Sequence, residues 1–252
     1  MNHRIVNTRA TQAARTLYPA ARLQRRRVGA ALALTVLASL CLFVAGGAAQ
    51  GPVTFTNTAP IVIPDATAAG VGVASPYPSA INVAGLSGAL TDLNVTLHGL
   101  NGSPYNTALL LVAPNGTRMI IQANIQTSSD HSNVSYTLDD SAPADMVLIN
   151  RIRSDNSYRP TVLVPSAEAE PEFPEVGGDP PPADCLPKGE CLSAAPYGTA
   201  KLNSAFGGID PNGTWKLYAV DLFEGETSTY AGGWSLSITT NFIEPMPTPS
   251  AT

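Results

Sequence analysis

The sequence predicts an all-β protein, folded as a single antiparallel, jelly-roll-like β-sandwich with an acidic, proline-rich insertion. Three observations support this fold class. Short runs of alternating apolar and polar residues recur about every ten residues, Gly, Pro and Asn separate them, and no long amphipathic helical pattern occurs. Regularly spaced short strands with turn residues between them are typical of sandwiches and barrels.

The N-terminal segment precedes this pattern and has a different composition. Residues 1–27 contain seven arginines and no acidic residue, residues 28–45 are almost wholly apolar, and small residues follow up to Ala49. This order predicts that residues 1–49 are a signal peptide and that the protein is secreted. The alternative is that residues 28–45 anchor the protein in the membrane, because 18 residues are at the short end of a membrane span.

The remaining chain is strongly acidic. All 19 acidic residues lie beyond residue 49, against seven basic ones, which gives a net charge of about −12. Because phosphate contacts need Lys and Arg, this charge argues against nucleic acid as a partner. It is compatible with cation binding, and equally with an ordinary exported surface.

The strands predicted before residue 100 rest on period-two alternation. Val53–Thr56 and Ile61–Ile63 are short extended segments, and the second ends at a Pro-Asp pair. Ser79–Val83 follows a loop rich in Ala, Gly and Pro. Leu90–His98 carries the clearest pattern, since every second side chain from Leu93 onward is apolar.

A β-hairpin is predicted next. Two apolar runs, Leu109–Val112 and Arg118–Ile121, flank the turn Pro114-Asn-Gly116. Proline presets the backbone for the first turn position, and glycine accepts the left-handed conformation at its end. Val134–Leu138 then alternates as a further strand.

The insertion spans residues 166–195. Acids and prolines dominate residues 166–187, with almost no large apolar side chain. Such a segment cannot bury enough surface to offset its ordering entropy, so we expect it to lie on the surface. Cys185 and Cys191 are the two cysteines beyond the signal, and an even number in an exported protein predicts a disulfide.

Two closing strands carry both tryptophans of the chain. Trp215 and Trp234 each begin an alternating run, and Gly213 and Gly233 precede them as structural glycines. The simplest topology is an antiparallel pair joined by the loop Glu224–Tyr230, with both tryptophans on one inward face. Residues 50–240 then form one domain, and residues 241–252 a linker-like tail rich in Pro, Thr and Ser.

Several segments resemble the motifs of a known family, both in their residues and in their order along the chain. They are Val95–Asn101, Leu109–Thr117, Val134–Pro143, Ser157–Pro160, Leu202–Gly207, Asn212–Leu217, Val220–Asp221 and Gly232–Ile238. They are similar to the P/Homo B domain, which follows the subtilisin-like catalytic domain of kexin/furin-type proprotein convertases and recurs in secreted bacterial proteins. The resemblance covers residues 53–240. It implies a jelly-roll-like sandwich that stabilises a partner, a subtilisin-like serine endopeptidase.

The chain also departs from that family. Bacterial members have acidic residues where this sequence reads Pro104–Ala108, and a Ser-Asp-Ala-Gly-Gly-like turn where it reads Ala123–Ser129. If those acids hold a cation in relatives, part of that site is missing here.

Catalysis by this chain is not expected. A Ser-His-Asp triad needs a histidine base against a serine, and only His98 and His131 lie beyond the signal. No subtilisin-type serine or aspartate segment occurs. We expect His98 to be a structural or edge-strand histidine bonded to the next loop and His131 to be solvated. Serine endopeptidase activity of the chain itself is the least favoured alternative.

Two further hypotheses concern binding. Asp139, Asp140 and Asp221 end predicted strands and are candidate ligands for Ca²⁺, which prefers carboxylate and carbonyl oxygens. The competing interpretation is that such acids cap turn amides. Without a protease partner, the protein is instead a cell-surface or extracellular adhesion module.

Overall fold

Two β-sheets face each other across one hydrophobic core in a computed structural model of the protein, which describes residues 48–125, 130–147, 150–164, 171–176 and 191–242. This arrangement confirms the predicted β-sandwich, whereas its jelly-roll connectivity stays a prediction. The described residues belong to one structural unit, Val44–Thr252.

The elements, in chain order, are β1 (Ala48–Asn57), β2 (Ile61–Ile63), β3 (Gly72–Val73), β4 (Ser79–Val83), β5 (Ala89–Gly102), β6 (Thr107–Val112), β7 (Arg118–Ala123), β8 (His131–Leu138), β9 (Asn156–Tyr158), β10 (Thr161–Val162), β11 (Leu192–Ser193), α1 (Leu202–Phe206), β12 (Gly213–Asp221), β13 (Ser228–Tyr230) and β14 (Trp234–Phe242). The signal cleavage predicted after Ala49 therefore falls near the start of β1.

The first sheet is built around β5. Strands β13 and β14 pair with one side of β5, and β8 pairs with the other. Strands β1 and β2 lie outside β14 and β13, and β9 pairs with β8. Because β5 has neighbours on both sides, His98 does not lie on an edge strand, and the edge-strand alternative of that prediction was wrong.

The second sheet is built around β12. Strands β3 and β4 pair with one side of β12, and the hairpin of β6 and β7 lies on the other. Strands β10 and β11 pair with the far side of β7. These two pairs and the β8–β9 pair are parallel, so the sandwich is antiparallel in its main strands and mixed at its margins.

The two closing strands do not form the antiparallel pair that we expected. Strand β12 belongs to the second sheet and β14 to the first, so the loop between β12 and β13 crosses from one sheet to the other. Trp215 and Trp234 are both fully buried, but they enter the core from opposite sheets. The Trp234 indole nitrogen donates to the Ser79 hydroxyl of the facing sheet at 3.0 Å.

The predicted hairpin is confirmed, since β6 and β7 pair antiparallel around residues 113–117. Its turn packs against the start of β12. A Cβ atom at Gly213, where φ is +123°, would lie 2.7 Å from Cβ of Pro114. Gly233, at φ +70°, makes a similarly close approach to the carbonyl oxygens of Asn57 and Ala59. Any larger residue at either glycine would push two backbone segments apart.

Part of the acidic insertion packs on the body, contrary to the sequence-based expectation. Phe173 is 1% exposed, and the Tyr77 hydroxyl donates to the Pro174 carbonyl at 3.1 Å. Phe173 and this hydrogen bond therefore attach residues 171–176 to the sandwich. Cys185 lies outside the described residues, so its pairing with the half-buried Cys191 stays a prediction.

The helix α1 was not predicted. Its apolar residues, Leu202 and Phe206, are fully buried. In the part of the chain that the structure describes, no helix is long and apolar enough to cross a membrane. The alternative membrane anchor, residues 28–45, lies outside that part.

Candidate functional site

Asp221 is a charged residue buried inside the sandwich. It ends β12, opposite Thr107 of β6 and Gly72 of β3. Its relative exposure is 0%. One carboxylate oxygen, Oδ1, accepts a hydrogen bond from the Phe223 amide at 3.1 Å, and the other, Oδ2, is buried and has no hydrogen-bond partner in the part of the chain that the structure describes. An unpaired buried carboxylate oxygen is costly, so this position calls for an explanation.

The side chain of Asp221 points between the two sheets. Thr107 lies directly opposite it in the ladder and shares its face. The Thr107 hydroxyl bonds the Ser228 hydroxyl of the first sheet at 3.1 Å. Asp221 and these two hydroxyl groups therefore form a polar group at one end of the space between the sheets.

The electrostatics of this end are acidic. Burial raises the pKa of Asp221 to about 7, against the lowering effect of the Phe223 amide, and the neighbouring Asp65 and Glu226 raise it further. Asp65 is held close because its Oδ1 accepts a hydrogen bond from the Gly225 amide at 2.8 Å. Both charged groups that act on Asp221 are thus acids.

Three connections meet around Asp221: residues 64–71, 103–106 and 222–227. We call them the Asp221 loop cluster. Asn106 fixes two of them to each other, since its carbonyl accepts from the Leu222 amide and its side-chain amide donates to the Phe223 carbonyl, both at 3.1 Å. The Ser103 amide also donates to the Thr227 carbonyl at 3.0 Å.

Two aromatic side chains stand out on the surface of this cluster. Tyr105 is 41% exposed and Phe223 is 37% exposed. Tyr105 precedes Asn106 in the chain, and the Phe223 carbonyl accepts from the Asn106 side chain. The hydrogen bonds of Asn106 therefore fix the backbone that carries both aromatic residues. Exposed aromatic residues on a rigid scaffold are a common feature of protein-binding surfaces.

Asp139 and Asp140, the other predicted cation ligands, do not lie with Asp221. They follow β8, whose last residue pairs with Val95, whereas Asp221 lies at the other end of β5, near Gly102. The structure therefore does not bring the three predicted ligands together.

Asp139 and Asp140 instead cap main-chain amides. Asp139 accepts from the Ser141 amide at 2.7 Å. Asp140 accepts from the amides of Leu202 and Asn203 at 2.9 and 2.8 Å, which satisfies the first turn of α1. Among the described residues, no group of three or more His, Cys, Asp or Glu side chains is arranged to hold a metal ion.

His98 has a serine partner that the sequence did not reveal. Its Nε2 lies 2.9 Å from the hydroxyl of Ser235 on β14. Burial lowers the pKa of His98. A nucleophilic pair of this kind also needs a group that orients the histidine, and no carboxylate within the described ranges hydrogen-bonds to His98. Ser235 lies within the β-ladder and is 5% exposed, so a substrate carbonyl has little access to it.

His131 is buried at the start of β8, and the expectation that it is solvated was wrong. Its Nδ1 lies 3.3 Å from the Gly102 carbonyl, and its Nε2 accepts a hydrogen bond from the Ile152 amide at 3.0 Å. This arrangement requires the neutral ring with its proton on Nδ1. Burial lowers the pKa of His131, with a smaller lowering effect of Arg151, and the bond to Gly102 opposes it. His131 therefore joins three backbone segments and has no ring nitrogen left for catalysis.

A surface pocket of about 280 Å³ lies near α1 and is lined in part by Asp140, Asp145 and Arg159. Arg159 donates to the Ala142 carbonyl at 2.9 Å and to the Asp145 carboxylate at 3.2 Å. These charged groups hold the loop after β8 in place. This structural role accounts for Arg159, so its presence does not indicate a ligand site.

The comparisons with known proteins leave the family open. No protein-family model, curated protein or solved structure matches the chain. The resemblance to the P/Homo B domain therefore rests on the sequence segments themselves.

Proposed function

We propose that the protein is an exported, non-catalytic β-sandwich module that binds a protein partner. The partner that the P/Homo B resemblance implies is a subtilisin-like serine endopeptidase, which the module stabilises. The β-sandwich supports the resemblance because it is the fold expected of that domain, although fold alone does not determine function.

One observation carries the binding proposal: the exposed pair Tyr105 and Phe223 on the Asp221 loop cluster. Their exposed fractions are 41% and 37%, whereas most of the other aromatic side chains that the structure describes are buried or half-buried. Aromatic anchors of this kind supply much of the binding energy in protein interfaces. Because hydrogen bonds of Asn106 already fix their loops, little conformational entropy is lost on binding.

The surrounding charge favours a basic partner surface. Asp65, Glu224 and Glu226 lie in the same loop cluster. Acidic groups around an aromatic centre form a polar rim, which steers a partner that carries Lys or Arg.

The histidine geometry supports a non-catalytic role. Both ring nitrogens of His131 are engaged by backbone groups. His98 contacts Ser235 inside a β-ladder. Neither side chain is placed to act as a base on a bound peptide.

The test is an affinity capture from the exported protein fraction of the source organism, with the purified protein as bait and mass spectrometry as readout. The double variant Tyr105→Ser/Phe223→Ser should lose the partner. Tyr197→Ser is the matched control, since Tyr197 is 48% exposed but lies outside the Asp221 loop cluster.

The identity of the captured protein decides between the two binding hypotheses. A subtilisin-like protease, lost with the double variant and kept with the control, supports the proposal. Capture of envelope or matrix proteins alone indicates the adhesion module instead. Equal capture by both variants would show that Tyr105 and Phe223 are not the binding surface.

A further inference from the structure

The buried Asp221 carboxylate lies in an environment that suits a bound cation. Its Oδ2 has no hydrogen-bond partner among the described residues, and the relative exposure of Asp221 is 0%. Water therefore does not solvate this oxygen from the surface. An ionised carboxylate in such a place needs a counter-charge or a proton.

Two main-chain carbonyl oxygens lie against Gly72, the residue that pairs with Asp221. Gly72, directly opposite Asp221, has its main chain against the turn that follows β2. A Cβ atom at Gly72 would overlap the Pro64 carbonyl oxygen and come within 2.9 Å of the Asp65 carbonyl oxygen. The absence of a side chain at Gly72 thus lets two carbonyl groups reach the face that Asp221 occupies.

Two acids among the described residues, Asp65 and Glu226, act on Asp221 as like charges. Asp65 uses one carboxylate oxygen to accept from the Gly225 amide at 2.8 Å, and this bond holds it against the loop that begins at Asp221. Folding brings these acids together against their mutual repulsion, which costs free energy. A bound cation would remove that cost.

We propose that the Asp221 loop cluster binds a hard divalent cation, Ca²⁺ in particular, through the carboxylates of Asp221 and Asp65 and the main-chain carbonyl oxygens of residues 64–65. Ca²⁺ accepts carbonyl, hydroxyl and water oxygens beside carboxylates, so three acidic ligands are not required. This proposal goes beyond partner binding and does not depend on it.

A cation at this position would tie together the connections that carry the exposed aromatic pair. Asp65 follows β2, and Asp221 begins the loop that contains Phe223. The cation would therefore stabilise the binding surface as well as the end of the sandwich, because both ligands belong to the same loop cluster.

The test is thermal unfolding and titration calorimetry with CaCl₂, on protein that is expressed from the full sequence, purified and treated with EDTA. At about a hundredfold excess over Kd, Ca²⁺ should raise Tm by about 5–10 °C. MgCl₂ should act more weakly, because Mg²⁺ demands a stricter octahedral geometry. NaCl at equal ionic strength separates binding from charge screening.

The variants Asp221→Asn and Asp65→Asn should each abolish the Ca²⁺ response. The side-chain amide in Asp65→Asn keeps an oxygen to accept from Gly225, so loss of the response would report the charge and not the turn. Asp155→Asn is the matched control, since Asp155 is exposed and its φ of +61° suits asparagine.

The outcome is decisive in either direction. A calcium response that is lost in both site variants and kept in Asp155→Asn establishes the site. No heat and no Tm shift in the unmodified protein, or an equal response in Asp221→Asn, overturns it. Circular dichroism checks that each variant is folded, and Asp65→Asn serves alone if Asp221→Asn does not fold.

Discussion

Replacing Trp215 with alanine should strongly destabilise the protein. The indole ring is fully buried, and it packs edge-on against Phe206 with ring centroids 5.3 Å apart. Its nitrogen donates to the Pro211 carbonyl at 2.9 Å. The Trp215→Ala variant loses this contact and this hydrogen bond, and it leaves a cavity between the second sheet and α1.

The expected loss follows from comparable substitutions. Truncating a buried Trp or Phe to Ala costs about 3–5 kcal/mol of unfolding free energy. For a chain of this size, that corresponds to a fall in Tm of about 6–20 °C. The conservative variant Trp215→Phe keeps most of the ring but leaves the Pro211 carbonyl unpaired, so it should cost about 1–3 kcal/mol.

The assay is urea denaturation followed by far-ultraviolet circular dichroism, since tryptophan fluorescence would lose one of its two reporters. Phe223→Ala is the control, because its side chain is 37% exposed and its removal should cost under about 1 kcal/mol. If Trp215→Ala also cost under about 1 kcal/mol, the assignment of its strand face to the core would be refuted.

Four other predictions concern pH, redox state and activity. Because burial raises the pKa of Asp221 to about 7, the folded protein binds more protons than the unfolded chain between about pH 4 and 7. In EDTA, the free energy of unfolding should therefore fall as pH rises over that range, by up to about 4 kcal/mol relative to the Asp221→Asn variant. Parallel pH profiles of the two proteins would contradict this. Burial lowers the pKa of His131, so its contribution to stability should be lost as pH falls below about 6.5, and His131→Gln should remove that part of the Tm profile. Alkylation and mass spectrometry should find Cys185 and Cys191 unreactive until reduction, and labelling without reductant would disprove the disulfide. His98→Ala should leave peptide hydrolysis by the purified protein at the background rate, whereas a drop from a measurable rate would support the enzyme hypothesis.

Local patterns were sufficient for the hairpin and for most strands. The Pro114-Asn-Gly116 turn and the apolar runs beside it involve only neighbouring residues, and these predict that β6 and β7 pair, but not the irregularity in their register between Leu109 and Leu110. Alternation likewise predicts which side chains of a strand face inward, because the side-chain period of a strand is two.

The pairing of β12 with its neighbours could not be predicted in the same way. A loop between two inward-facing strands can close a hairpin or cross to the opposite sheet, and both leave the same local pattern. The closing strands took the second course, which places Trp215 and Trp234 in facing sheets. The choice depends on which partners cover each strand, and those partners are distant in sequence.

The candidate site also combines features that the sequence predicted with features that only the structure revealed. The sequence placed Asp221 at a strand end, but it did not indicate the neighbours of Asp221. Asp65 is 156 positions earlier in the chain and is brought near it by the pairing of Gly72 with β12 and by the hydrogen bond from the Gly225 amide. Asp140 had the same local signal as Asp221, yet it caps a helix about sixty residues further on.

The sequence by itself therefore determined the fold class, the turns and the inward faces, because these depend on backbone preferences and on the periodicity of neighbouring side chains. Only the tertiary structure decided which acids are buried, which histidine is enclosed and which strands share a sheet. Burial and charge interactions are set by contacts between segments far apart in the chain, and no local pattern encodes them.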